Sequence, residues 1–343
     1  MEFLFTENWN KYLDNFQPEN KDIYFKKEYI SLYKTDNEVP SCAVITDSEN
    51  IMLFPFLKRS FEYKGKQYSD FETAYGYGGP IFNTKDCNFI EESVKLLYKK
   101  FVEYNYIAGF VRFHPLLNNY NSFNEIGTVI LDRKTVAIDL TLSEEDIWMN
   151  EIHTKNRNVI KKAIKEDLKF VVDDKFEYLN RFIDLYNSTM NKLNADNFYY
   201  FKEDYYNNFI ENINDSFLGV VLKEDKVISA AIFMYSGDYG HYHLSGSDKN
   251  YLKYSPNNFM LYKAALELKA RNIKYFHLGG GTTSDENDSL FCFKNKFSKR
   301  LYQFAIGKLI FNDDIYKSLC EDWEKRWPEK TEHYKHYLLK YKY

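Results

Sequence analysis

The sequence predicts an α/β (α+β) fold, built as two similar domains whose mixed sheets are flanked by helices. Three observations carry that reading. Residues 239–297 read as strand, loop, capped helix and strand, which is a βαβ unit with polar loops at its strand ends. The order hairpin, strand, glycine-bearing loop, helix, strand occurs roughly twice, with no obvious sequence identity between the two halves. At 343 residues the chain has the length of two ordinary domains, each able to bury its own core. The division expected is 1–140 and 141–312, with a helical run at 313–343 packing back on the body.

Taken in order, residues 8–16 suggest a short helix and 28–33 a strand. Residues 42–46 and 51–58 form a hairpin across Asp47-Ser48-Glu49-Asn50. The glycine-rich run Tyr75-Gly76-Tyr77-Gly78-Gly79-Pro80 lies between aromatics and reads as a tight turn needing positive φ. A helix at 89–104 leads to a strand at 109–113, which ends at His114-Pro115, and another strand spans 136–140. One continuous helix is expected at about 145–166, then helices at 175–192 and 202–212 and a hairpin at 217–235. In the βαβ stretch, Ser255 can cap, Pro256 suits the first helical position, and Asn272 supplies the stop. A last strand lies near 301–310, and 313–343 is helical apart from Pro328.

Composition narrows the function classes. Aromatic residues make up 19% of the chain, so the core is rich in rings and many tyrosine hydroxyls need partners. A net charge of −4 gives no global basic field for nucleic acid, so any RNA contact is a local patch. Cys42, Cys87, Cys292 and Cys320 show no C-x-x-C spacing and read as reduced thiols. The first residues lack signal-peptide character, and no apolar run approaches the roughly 20 residues of a membrane span. A cytoplasmic protein is expected.

Several residues could carry chemistry. Arg157, Lys161 and Lys165 form a row at helical spacing, suited to a phosphate or pyrophosphate or to a solvated face. Lys294 lies among Phe293 and Phe297, where low dielectric would let it stabilise an oxyanion; a core-edge lysine that snorkels to water fits the same setting. His241 and His243 share a strand face, with His277 as a third ligand for zinc; histidines paired with backbone or tyrosine are the other reading. Gly279-Gly280-Gly281 precedes Thr282-Thr283-Ser284-Asp285 and not a helix, so it is no dinucleotide fingerprint. No G-x-S-x-G, Walker loop or H-E-x-x-H occurs.

The set Asn156-Arg157-Asn158-Val159-Ile160-Lys161-Lys162-Ala163, Leu244-Ser245-Gly246-Ser247-Asp248, Tyr254-Ser255-Pro256-Asn257-Asn258, Phe276-His277-Leu278-Gly279-Gly280 and Phe293-Lys294-Asn295-Lys296-Phe297 resembles the FemAB-type branch of the GNAT-like acyltransferases. The glycine-rich run at 75–80 and Arg112-Phe113-His114-Pro115 resemble first-domain signatures of related members. The resemblance implies tandem GNAT-like domains with a cleft near their junction. Characterised members move an amino acid from aminoacyl-tRNA to an amine of a peptidoglycan precursor. It places the family's lysine on Lys294, with a role in stabilising transition-state charge, and phosphate or substrate contacts on Arg157 and Lys161. Tyr77, Arg112, His114, Tyr254 and Asn257 complete the expected substrate-binding set. Ser298 stands where relatives often have glycine, Lys161 where many have arginine, and no R/Q-x-x-G-x-G/A pyrophosphate loop is clear.

The expected function is therefore an acyltransferase acting on an amine of a cell-envelope or glycan precursor, lipid-linked or small. The co-substrate is aminoacyl-tRNA or, as alternative, acyl-CoA for an N-acyltransferase on an amino sugar, with no tightly bound cofactor and no metal. Asp70 and His114 are the candidate general bases. A non-catalytic glycan or nucleotide binding protein is the rival from another class.

Overall fold

The computed structural model describes residues 1–343 and gives thirteen strands. They are β1 (Glu2–Thr6), β2 (Glu38–Asp47), β3 (Asn50–Tyr63), β4 (Lys66–Glu72), β5 (Ile81–Phe82), β6 (Tyr106–Arg112), β7 (Thr128–Asp139), β8 (Lys169–Asp173), β9 (Ser216–Lys223), β10 (Lys226–Ser236), β11 (Tyr239–Ser247), β12 (Tyr275–Gly280) and β13 (Leu301–Ile310). The chain divides into two compact units: Met1–Asn20 with Tyr24–Asp132 and Gln303–Tyr343, and Lys21–Ile23 with Arg133–Tyr302. The α/β class expected from the sequence is what forms, with a mixed strand set and flanking helices in each unit. No helix is long and apolar enough to cross a membrane.

In the first unit the strand order is β1-β2-β3-β4-β6-β13, with β5 paired to β3. The pair β4–β6 is parallel, and helix Cys87–Glu103 makes the crossover between them. Asp86 caps that helix by accepting from Asn88 and Phe89 amides, and Phe89, Val94, Leu97 and Phe101 face inward at helical spacing. They meet an aromatic core in which Phe71 stacks on Phe101 at 4.7 Å and Phe56 lies 4.8 Å from Phe71. The glycine-rich run is the expected turn: Gly76 and Gly79 have φ of 92° and 91°.

Several expectations are corrected. The boundary falls at Asp132/Arg133 and not at 140, and Gln303–Tyr343 lies in the first unit. The cause is the antiparallel ladder of β13 on β6, from Ile306 opposite Arg112 to Ile310 opposite Ala108. Residues 28–33 are not a strand; Lys27–Ser31 is a helical turn. The Ile30 amide bonds back to the Lys26 carbonyl at 3.2 Å and the Ser31 hydroxyl to the Lys27 carbonyl at 2.8 Å, contacts across four residues that a helical turn makes and an extended strand cannot. Finally, the long helix at 145–166 is interrupted. Glu144–Asp146 and the π-helical turn Ile147–Glu151 give way to extended backbone at Ile152, and helix Thr154–Lys165 starts afresh.

Pro328 begins helix Pro328–Tyr334 at a position where its missing N–H costs nothing. Leu338 and Leu339 cluster with Ala108, and the Lys342 ammonium sits between the Glu38 and Glu72 carboxylates. Burial works against the Glu72 anion, yet Arg112 and Lys342 hold its carboxyl below the usual range. Lys342→Met would leave the buried Glu38 carboxylate without its cation, held only by the Thr35 amide and hydroxyl, and is expected to lower the unfolding free energy by about 3 kcal/mol. Urea unfolding checks this, and a loss below about 1 kcal/mol would show the contact to be incidental.

The second unit has the order β7-β12-β11-β10-β9-β8. Helix Pro256–Ala270 is the crossover between the parallel strands β11 and β12. Phe259, Met260, Leu261, Ala264, Ala265 and Leu268 bury its inner side. Asn272 takes φ of 64° at its stop, as expected. Ser255 does not cap; it adopts a left-handed conformation ahead of Pro256.

Candidate active site

The parallel ladder between β11 and β12 is short. It pairs Tyr239 with Tyr275, Gly240 with Phe276 and His241 with His277, and there it stops. Beyond that point β12 pairs with β7 through Gly280, and β11 continues on β10 to Ser247. The two strands therefore separate, and the sheet of the second unit opens between Tyr242–Ser247 and Leu278–Gly280. Openings at the carboxyl ends of parallel strands are where such sheets bind ligands.

Lys294 stands at the β12 side of this opening. It closes helix Ser289–Lys294, is 8% exposed, and donates to the Gly280 carbonyl at 2.8 Å. That bond uses one of the three N–H donors of the ammonium. Burial pulls the Lys294 ammonium down to about 8, with the Asp288 carboxylate opposing. Phe293 and Phe297 pack edge to face at 5.5 Å on either side of the turn that carries it.

Asp288 is the residue that sequence reasoning missed. One carboxylate oxygen caps the helix, accepting from Leu290 and Phe291 amides at 2.9 Å. The other accepts from the Thr282 and Thr283 amides at 3.1 and 3.2 Å and from the Thr282 hydroxyl. Burial works the other way, yet the bonds from Thr282, Phe291 and Thr283 hold its carboxyl well below the usual range. An aspartate just before Ser-Leu-Phe is a helix-start signal, so the sequence did contain it.

The other expected residues are placed as follows. Arg157 spends its guanidinium on the broken helix, donating to the carbonyls of Met149 at 2.9 Å and Ile152 at 2.6 Å and to the Thr154 hydroxyl. Lys161 is exposed, with its ammonium 5.9 Å over the Trp148 ring. Tyr254 is half-buried beneath the Lys223 ammonium, 4.4 Å from its ring centre. The Asn257 carbonyl oxygen accepts from the hydroxyls of Ser229 at 2.7 Å and Ser247 at 2.6 Å, fastening its helix to β10 and β11. Next to it, Asn258 donates to the buried Asn156 at 2.7 Å, and Asn156 donates to the Lys296 carbonyl at 3.3 Å. The helix after Ser255, the basic helix and the Lys294 turn are thus tied together.

In the first unit, Arg112 donates to the Thr73 carbonyl at 2.7 Å and pairs with Glu72 at 3.2 Å. The Tyr77 ring packs against Tyr24 and His114 at 5.2 and 5.8 Å. His114 is fully buried, and its Nδ1 accepts from the Leu117 amide at 3.3 Å. Asp70 is ion-paired with Arg59, while burial pushes its carboxyl up.

The histidines go to separate partners. His241 Nε2 bonds to the buried Asp22 carboxylate at 2.6 Å, and His243 Nε2 to the Tyr205 hydroxyl at 2.8 Å. Burial pulls the His243 imidazole down to about 3, with His241 adding to the effect. Ser298 is fully buried and donates to Glu151, which also receives Arg300.

Residues 153–287 match the acetyltransferase (GNAT) domain family. No curated protein matches the sequence. Among solved structures, FemX is similar with a TM-score of 0.70 at 14% identity, over 92% of this chain and 99% of FemX. L-PGS from Bacillus licheniformis is similar with a TM-score of 0.54 at 13% identity, over 83% of this chain and 87% of its own. The C-terminal domain of a protein described as a lysylphosphatidylglycerol synthetase from Agrobacterium fabrum gives 0.52 at 14%, over 86% and 89%. At these identities the likeness is one of fold. The chain thus carries a match to the GNAT acetyltransferase domain across 153–287 and has a fold similar to that of FemX over 92% of its length.

Proposed function

We propose that the chain transfers an aminoacyl group from aminoacyl-tRNA to an amine of a cell-envelope or glycan precursor, with Lys294 as the cation that steadies the reacting oxygen. The observation that carries this is a buried ammonium at the edge of the sheet opening, held by one bond to Gly280 and with two N–H donors left for substrate. The motif resemblance implies the same chemistry, and the similarity to a protein described as a lysylphosphatidylglycerol synthetase is in keeping with it.

In this reading the neutral amine attacks the donor carbonyl carbon. A C–N bond forms, negative charge gathers on the carbonyl oxygen, and the C–O bond of the ester breaks. The proton shed by the amine ends on the departing oxygen. A cation in a low-dielectric site stabilises either oxygen more than water does. Asp70 is held by Arg59, and we assign no protein group as base.

The GNAT domain match and the opening between β11 and β12 favour acyl-CoA as the second reading. Labelled aminoacyl-tRNA and labelled acetyl-CoA, each incubated with the protein and an amino-sugar or envelope-precursor acceptor, separate the two. Label transferred from aminoacyl-tRNA alone is the expected result. Transfer from acetyl-CoA alone would replace the donor, and ligand binding without transfer from either would leave a binding protein.

A further inference from the structure

The first unit contains a cavity of about 380 Å³ that the transfer chemistry does not use. Pro80, Phe82, Leu117, Asn118 and Asn121 line it, and Asn20 contributes from the chain's first segment. Its walls are fixed by Asn119, whose amide nitrogen donates to the Gly78 and Pro80 carbonyls at 2.8 and 2.9 Å while its oxygen accepts from the His114 amide at 2.9 Å. A site held in shape this way loses little freedom when a ligand enters. Its volume lies in the range of small-molecule sites.

The lining has an unusual chemistry. No lysine, arginine, histidine, aspartate or glutamate belongs to it. The carboxamides of Asn20, Asn118 and Asn121 are not used to hold the cavity together, and each offers an acceptor and two donors. An anionic ligand would find no cation here, and a cationic one no anion. A purely apolar ligand would cover three carboxamides without satisfying them. What fits is a neutral molecule whose groups both donate and accept, and which has an apolar face for Phe82 and Pro80.

We propose that this cavity binds a neutral saccharide of one or two pyranose rings, its hydroxyl and acetamido groups meeting the carboxamides and a C–H face lying on Phe82. The site stands apart from the transfer reading and does not depend on it. Asn118 has φ of 49°, so Asn118→Gly keeps the backbone conformation and removes only the carboxamide.

Titration of the full chain with N,N′-diacetylchitobiose, followed by saturation-transfer NMR, tests the proposal. Asn118→Gly and Asn121→Ala are each expected to weaken binding about five- to tenfold, the loss of one or two hydrogen bonds. Lys294→Ala is expected to bind as tightly as wild type, which separates this site from the transfer site. Failure of chitobiose and of a panel of neutral mono- and disaccharides to bind at about 10 mM would overturn it. So would affinity unchanged in the Asn118→Gly/Asn121→Ala double variant, or displacement of the sugar by inorganic phosphate.

Discussion

Lys294→Met is expected to cost about 10²- to 10³-fold in turnover while making the protein harder to unfold. The loss follows from removing a buried cation at the end of β12, which is worth that much when it faces charge developing in a site shielded from water. The gain follows from burial. Lys294 is 8% exposed and its ammonium is pulled to about 8 from an ordinary 10.5, so the folded state binds that proton less tightly than the unfolded chain. Between about 8 and 10.5 the unfolded chain keeps a proton that the folded chain has released, so this group makes stability rise with pH through that window. Below about 8 the full cost of burying the charge is present, and methionine removes it. The gain at pH 7 is on the order of 1–3 kcal/mol, reduced by the lost bond to Gly280. The same ionisation gives a second readout: transfer that needs the ammonium declines as pH rises through about 8. Steady-state kinetics across pH 6–10, with thermal unfolding of both proteins, decides the matter. A variant that transfers at the wild-type rate would remove Lys294 from the chemistry altogether.

Much of this architecture could be read from local pattern. Pro256 and Asn272 bracket the crossover helix by rules that need no tertiary information, and the lysine between two phenylalanines stood out for the same reason. What escaped was decided over distance. The strand at 301–310 looks alike whichever sheet it joins, and only its pairing with β6 assigns most of it to the first unit. Asp22 and His241 are 219 residues apart, so nothing in the sequence near either could suggest their bond. The row Arg157, Lys161, Lys165 has helical spacing, yet spacing alone does not show that the Arg157 fork is taken by carbonyls freed where the helix breaks. Asn257 is similar: its position was legible, whereas its engagement with Ser229 and Ser247 depends on strands brought together by the hairpin.

Gly246→Ala is expected to be among the most damaging single-methyl additions in the second unit, lowering stability by about 3 kcal/mol or more. Gly246 lies opposite Ala230 in the β10–β11 ladder, and helix Leu179–Leu193 crosses directly over it. A Cβ there would come within 2.3 Å of the Leu185 carbonyl carbon and the Tyr186 amide nitrogen, and 2.6 Å of the Leu185 oxygen. These are backbone atoms in mid-helix, so no rotamer change relieves the clash. The helix must move outward as a body, pulling buried Phe182, Leu185 and Tyr186 from their packing. It would also stretch the bond from the Ser247 amide to the Thr189 hydroxyl, now 3.2 Å, beside the serine that fastens Asn257. Gly65→Ala is the control, because Gly65 has nothing within 4 Å of a Cβ and only its φ of 76° opposes substitution, a cost of about 1 kcal/mol. Urea unfolding of the two variants separates close approach from backbone conformation. If Gly246→Ala proved as mild as Gly65→Ala, the helix would not rest on the strand at this point, and the support it lends to the sheet opening would have to come from elsewhere.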